Sequence, residues 1–119
     1  MIADSVNIMG TPWKISMRSK KDDSSLAGIS GYCDNTIKTI VLRKHHDKPK
    51  PGEVSDLREY ERSCLRHEII HAFMFESGLS NSADASNHWA MHEEMIDWIA
   101  NQHEKIHSAY LEAGAILPG

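Results

Sequence analysis

The sequence predicts a small α+β fold, with a small antiparallel or mixed sheet in its N-terminal part packed on two main helices. Three observations lead there. Apolar–polar alternation, the period of a half-buried strand, occurs before residue 43, at Trp13–Met17 and Thr36–Leu42. From Asp56 onward the apolar period lengthens to that of a helix, in two long segments. No internal repeat and no Pro- or Gly-rich linker divides the 119 residues, so one domain over residues 1–119 with one modest core is expected.

Taken in order, residues 1–10 carry little pattern. Pro12 opens the first strand, Trp13-Lys14-Ile15-Ser16-Met17. The polar run RSKKDDSS (18–25) reads as a solvated turn or loop. Gly31-Tyr32-Cys33-Asp34-Asn35 leads into the β-branched run Thr36–Leu42, which reads as a hairpin turning near Asp34-Asn35. KHHDKPKPGEVS (44–55) holds two prolines and a glycine and is a loop, its His45 and His46 solvated. Asp56-Leu57-Arg58-Glu59 has the capping-box pattern, and Gly78 is placed to end a helix of about 21 residues. The IIHAFMF end of that helix is apolar nearly all round, which argues for a central position. LSNSADASN (79–87) is a polar connection with Ser86 or Asn87 as N-cap. A second helix is expected from about His88 to His107 or beyond, loosening at Gly114, with Trp89 and Trp98 in the core.

The first helix carries the chemistry. His67-Glu68-Ile69-Ile70-His71 places two imidazoles one turn apart on one helix face, where they can share a metal. H-E-x-x-H suits Zn²⁺, one per chain, with Glu68 as general base toward a zinc-bound water. A third ligand is then needed, and the second helix offers His88, His92, Glu93 and Glu94. Glu93 falls at the edge of the buried face, whereas Glu94 points to solvent. Asp97, one turn on, could accept the outer N–H of a ligating histidine. His67, His71 and Glu93 backed by Asp97 form the expected set, with His67, His71 and His92 as the rival. Tyr32, Tyr60, Tyr110, His103 and His107 are the candidates for steadying an oxyanion. Cys33 and Cys64 read as packed residues near the site, with thiolate capping of zinc by Cys33 as the alternative.

His67-Glu68-Ile69-Ile70-His71 followed by Glu93-Glu94-Met95-Ile96-Asp97 resembles the gluzincin branch of the zincin metallopeptidases. With the upstream strand Cys33–Ile40, the chain is also similar to small phage and prophage zincin-like domains of the ImmA/IrrE and minigluzincin type. The resemblance covers roughly residues 30–107. It implies a minimal zincin-like α+β domain that hydrolyses a peptide or protein substrate with narrow specificity. It also implies a sheet edge strand that aligns extended substrate, a role that position would give to Ile37–Leu42. A third histidine at metzincin spacing is absent. The alternative is a catalytically inactive zincin-fold binding or phage/host-interaction module with a structural zinc.

Net charge of −4 gives no basic footprint for nucleic acid. Two cysteines make no disulfide framework, no run approaches a membrane span, and the N-terminus lacks a signal-peptide pattern, so a cytoplasmic setting without membrane contact is expected. Oligomeric state is not written in the sequence.

Overall fold

The computed structural model describes residues 2–82 and 89–118. Its order is β1 (Ser5–Ile8), β2 (Thr11–Arg18), β3 (Gly31–Asp34), β4 (Thr39–Arg43), α1 (Leu57–Glu76), a short α2 (Leu79–Ser82) and α3 (Glu93–Ala113). Single 3₁₀ turns occupy Ser24–Leu26 and Trp89–Met91. The strands form one mixed sheet in the order β1-β2-β4-β3, bearing out the small α+β fold. β1 pairs antiparallel with β2, β2 parallel with β4, and β3 antiparallel with β4.

Strand β1 had no sequence pattern to announce it. Its turn explains why it forms: Met9 and Gly10 both have positive φ, 52° and 92°, as a two-residue I′ turn requires. Asn7 Oδ1 accepts the Gly10 N–H at 2.7 Å. The second hairpin is present, but its turn is longer than expected. Thr36 and Ile37 lie in the turn, Lys38 has φ 49°, and β4 begins only at Thr39. β4 is an interior strand, paired on both sides and buried from Thr39 through Leu42. The edge strand on that side is β3, which corrects the placement of the sheet edge at Ile37–Leu42.

Ile40 and Leu42 face α1 in a core with Ile8, Trp13, Ile15 and Ala72, against which Cys33, Cys64, Leu65, Ile69 and Phe75 pack. On the other face the loop after β2 is pinned rather than solvated. Asp23 accepts from the Tyr32 hydroxyl at 2.6 Å and from Arg18 at 2.9 Å. The shared proton from Tyr32 and the Arg18 guanidinium together hold the Asp23 carboxyl below its usual range.

Helix α1 starts where the capping pattern put it, with Asp56 Oδ1 accepting the Glu59 N–H at 3.0 Å. Glu59 does not close the box; its carboxylate takes Arg62 at 3.1 Å and Arg66 at 2.8 Å instead. The helix ends at Ser77, and Gly78 follows at φ 82°. As expected, α1 is central, packed between the sheet and α3 and against α2, but it is not buried all round, since Phe73 is exposed. Its last residue ties it down: Glu76 accepts from Trp13 Nε1 at 2.8 Å, Thr11 Oγ1 at 3.1 Å and Lys38 Nζ at 3.0 Å. A carboxylate at a helix C-terminus opposes the helix dipole, so these three donors are what make it tolerable there. Near the other end, buried Glu61 accepts from the His45 backbone N–H at 2.7 Å and from Arg58 Nε at 3.2 Å. His45 is therefore docked against α1, not solvated.

Helix α3 starts five residues later than expected, at Glu93 with His92 as N-cap, and runs on to Ala113 before Gly114 turns left-handed at φ 73°. His88, Ser86 and Asn87 lie outside the described residues. Only Ile96 and Ala100 of α3 are buried, and Trp98, expected in the core, is 59% exposed. No helix of the described residues is long and apolar enough to cross a membrane.

Two outcomes follow from this packing. Leu42→Ala, a full side chain removed from the α1–sheet core, should cost about 2–5 kcal/mol in urea unfolding; a loss below about 1 kcal/mol would mean that the site collapses freely. Glu76 has its carboxyl held below the ordinary 4.5, first by Lys38, then by Trp13. A lowered folded pKa contributes stability above the unfolded pKa and loses it as pH falls through the folded one. Glu76→Gln should therefore lower Tm at pH 7, and the gap to wild type should close below pH 4.5.

Candidate metal centre

The i, i+4 spacing on α1 brings the His67 and His71 rings to a centroid separation of 4.8 Å. Starting α3 at Glu93 aims that carboxylate back at both: Oε2 lies 2.7 Å from His67 Nε2, and Oε1 lies 3.0 Å from His71 Nε2. The two Nε2 atoms are 3.1 Å apart. One turn along α3, Asp97 Oδ1 sits 2.6 Å from His67 Nδ1. A carboxylate can only accept, so His67 carries a proton on Nδ1 and presents Nε2 toward Glu93.

His71 can carry its proton on Nε2 and donate to Glu93, which leaves the His67 Nε2 lone pair facing the Glu93 carboxylate at 2.7 Å. Without a cation, a second proton on His67 is the simplest remedy. Burial opposes that charge, but the Asp97 hydrogen bond and the nearby carboxylates Glu68, Glu93 and Asp97 outweigh it and raise His67 overall. His71 goes the other way, because burial lowers it and the pull of Glu93 does not compensate.

A divalent cation meets the need of all three groups at once. One ligand atom each from His67, His71 and Glu93 lie within 4.8 Å of one another. Tetrahedral zinc with bonds of about 2.0–2.2 Å sets its ligand atoms roughly 3.3–3.6 Å apart, so small rotations suffice. Two imidazoles and a carboxylate are a zinc donor set. The support is unequal: Asp97 fixes His67, whereas His71 Nδ1 is buried with no hydrogen-bond partner. Glu93 is 67% exposed in side chain, so the site opens to solvent on the α3 side.

Glu68 points from the same helix turn into the sheet side of the cleft. It is buried, and that burial raises its carboxyl above the ordinary range against the opposing charge of His67. The Cys33 thiol donates to the Glu68 carbonyl at 3.2 Å and reaches Oε1 at 3.5 Å, and burial pushes the thiol up. Gly31 makes the close approach possible. A Cβ there would stand 2.9 Å from Val41 O, 3.2 Å from Leu42 Cδ2 and 3.5 Å from Glu68 Cγ.

The structure thus brings His67, Glu68, His71, Glu93 and Asp97 together. His92 is exposed at the α3 N-cap and does not join them, so the three-histidine set is not formed. Glu94 is exposed, as expected. Of the oxyanion candidates, Tyr60 lines the cleft with His67 and Glu68, while the Tyr32 hydroxyl is bonded to Asp23; Tyr110, His103 and His107 lie elsewhere on α3. Sequence reasoning missed the opposite wall, Gly28-Ile29-Ser30-Gly31. Two glycines and a serine before a strand were its only signal.

No protein-family model and no solved structure matches the chain. Among curated proteins it is similar to phospholipase A1 1 and phospholipase A1 2 of Vespa affinis, each 29% identical over 69 residues, 56% of this chain. The chain spans only 20% of the length of these relatives.

Asp97→Asn should weaken zinc binding about 10–100-fold while leaving one site per chain, measured by competition with a chromophoric chelator. Unchanged affinity would mean that the 2.6 Å contact does nothing for the metal site. Gly31→Ala should lower Tm, because the clash with Val41 O is with backbone; an unchanged Tm would contradict the tight approach of strand and helix.

Proposed function

We propose that this chain is a zinc-dependent metallopeptidase of the gluzincin kind, narrow in specificity and acting on a peptide or protein in the cytoplasm. The observation that carries this reading is the convergence of His67 Nε2, His71 Nε2 and the Glu93 carboxylate beside the buried carboxyl of Glu68. When bound there, zinc would acidify water and polarise a carbonyl.

The chain's own residues do the rest. His67 and His71 would hold the metal as neutral bases, and Asp97 keeps the His67 proton on Nδ1 so that Nε2 stays available. Glu68 accepts a proton from water in the cleft and returns it to the leaving amine. Burial raises its carboxyl toward the working pH, which suits a group that must both take and give a proton. Cys33 and the Gly31 approach fix where that carboxyl stands. The zincin resemblance of the two motifs agrees with these roles.

Glu68→Gln should retain one zinc per chain and lose about 10²–10⁴-fold in peptide cleavage, followed by mass spectrometry on a peptide library. Equal behaviour of wild type and variant, with zinc bound in both, would leave a zinc-stabilised binding module in place of an enzyme.

A further inference from the structure

Two cavities, about 440 and 320 Å³, meet at the metal centre. Both are lined by Ile29, Gly31, His67, Glu68 and Glu93, so they are two lobes of one cleft. Beyond the shared residues their chemistry differs. The first is walled by Gly28, Ser30, Tyr60, Ser63, Cys64 and the Asp97 carboxylate; the second by His71, Phe75 and Met91, with Tyr32 and Cys33 of β3. In the first lobe the Ser30 and Tyr60 hydroxyls lie 2.8 Å apart. Both hydroxyls also bond the Cys64 side chain, so a ligand meets them chiefly through their accepting oxygens. In the second lobe, Phe75 and Met91 join the shared Ile29 in an apolar wall.

Helix α1, which flanks the cleft, gives the spacing of the lobes. Along α1 the first lobe centres near residue 62 and the second near 73. At a helical rise of 1.5 Å per residue, that is about 16 Å. An extended peptide covers such a distance in roughly four to five residues. His67 and Glu68 lie midway.

We propose that the cleft selects peptides by two side chains about four to five residues apart, one on each side of the reacting bond. A hydrogen-bonding polar side chain (Ser, Thr, Asn or Gln) enters the Ser30–Tyr60 lobe. A bulky apolar one enters the Phe75–Met91 lobe. This rests on the metallopeptidase reading for the position of the reacting bond, but the lobes bind by their own residues.

The test uses a displayed peptide library selected on zinc-loaded Glu68→Gln protein, which reads binding without turnover, with cleavage by wild type measured in parallel. The expected result is enrichment of a polar and a bulky apolar residue four to five positions apart. Tyr60→Phe should reduce the polar preference about fivefold, the worth of one hydrogen bond. Met91→Ser should reduce the apolar preference at least as much. Phe75 also stacks on Trp13, centroids 6.5 Å apart, so the exposed Met91 is the safer substitution. Random enrichment, or preferences that neither substitution moves, overturns the inference. Paired enrichment without wild-type cleavage supports it and removes only the peptidase reading. Cleavage without the paired preference removes only the inference.

Discussion

Everything around the candidate centre depends on one electrostatic constraint. Two imidazoles from α1 and a carboxylate from α3 bring their lone pairs to within 2.7–3.1 Å of one another. Such an arrangement is repulsive unless protons or a cation sit among them. Without a metal, a second proton on His67, favoured by the nearby carboxylates, would have to supply the positive charge. A divalent cation would supply it fully, and without the second proton on a half-buried ring. The start of α3 at Glu93 and the one-turn offset to Asp97 serve this single convergence.

The rest of the fold holds α1 where that convergence can occur. A 20-residue helix laid across a four-stranded sheet has freedom to slide and roll. Glu76 removes the sliding at one end by binding donors from β2 and the β3–β4 turn. At the other, the buried Glu61 with Arg58 and the His45 backbone docks the long loop onto α1. Gly31 removes the gap, letting the edge strand press toward Glu68. The proposed base and two of the proposed metal ligands thus sit on one helix, while the proposed third ligand comes from a helix buried at only Ile96 and Ala100. That contrast fits a site whose accessible side is α3.

What was legible in the sequence was local. H-E-x-x-H at helical spacing, Asp56 as cap, Gly78 as stop and the Glu93/Asp97 pair each state their geometry within a few residues, and the structure assembles them. What was not legible depended on partners far along the chain. Strand β1 has too little alternation to stand out, and it forms because β2 and the Met9-Gly10 turn offer it a ladder. The edge role passed from β4 to β3 because a parallel β2–β4 pairing is invisible to periodicity. His45 looked solvated because its partner, Glu61, lies 16 residues on. Trp98 was expected inside because an aromatic at helical spacing usually is; α3 meets the body along too narrow a stripe to cover it.

The most direct measurement of the central claim is X-ray absorption at the zinc edge of the loaded protein. The account predicts only nitrogen and oxygen neighbours at about 2.0–2.2 Å, with the outer-shell scattering of two imidazoles. A sulfur neighbour at about 2.3 Å, from Cys33 or Cys64, or the scattering of a third imidazole, would contradict it.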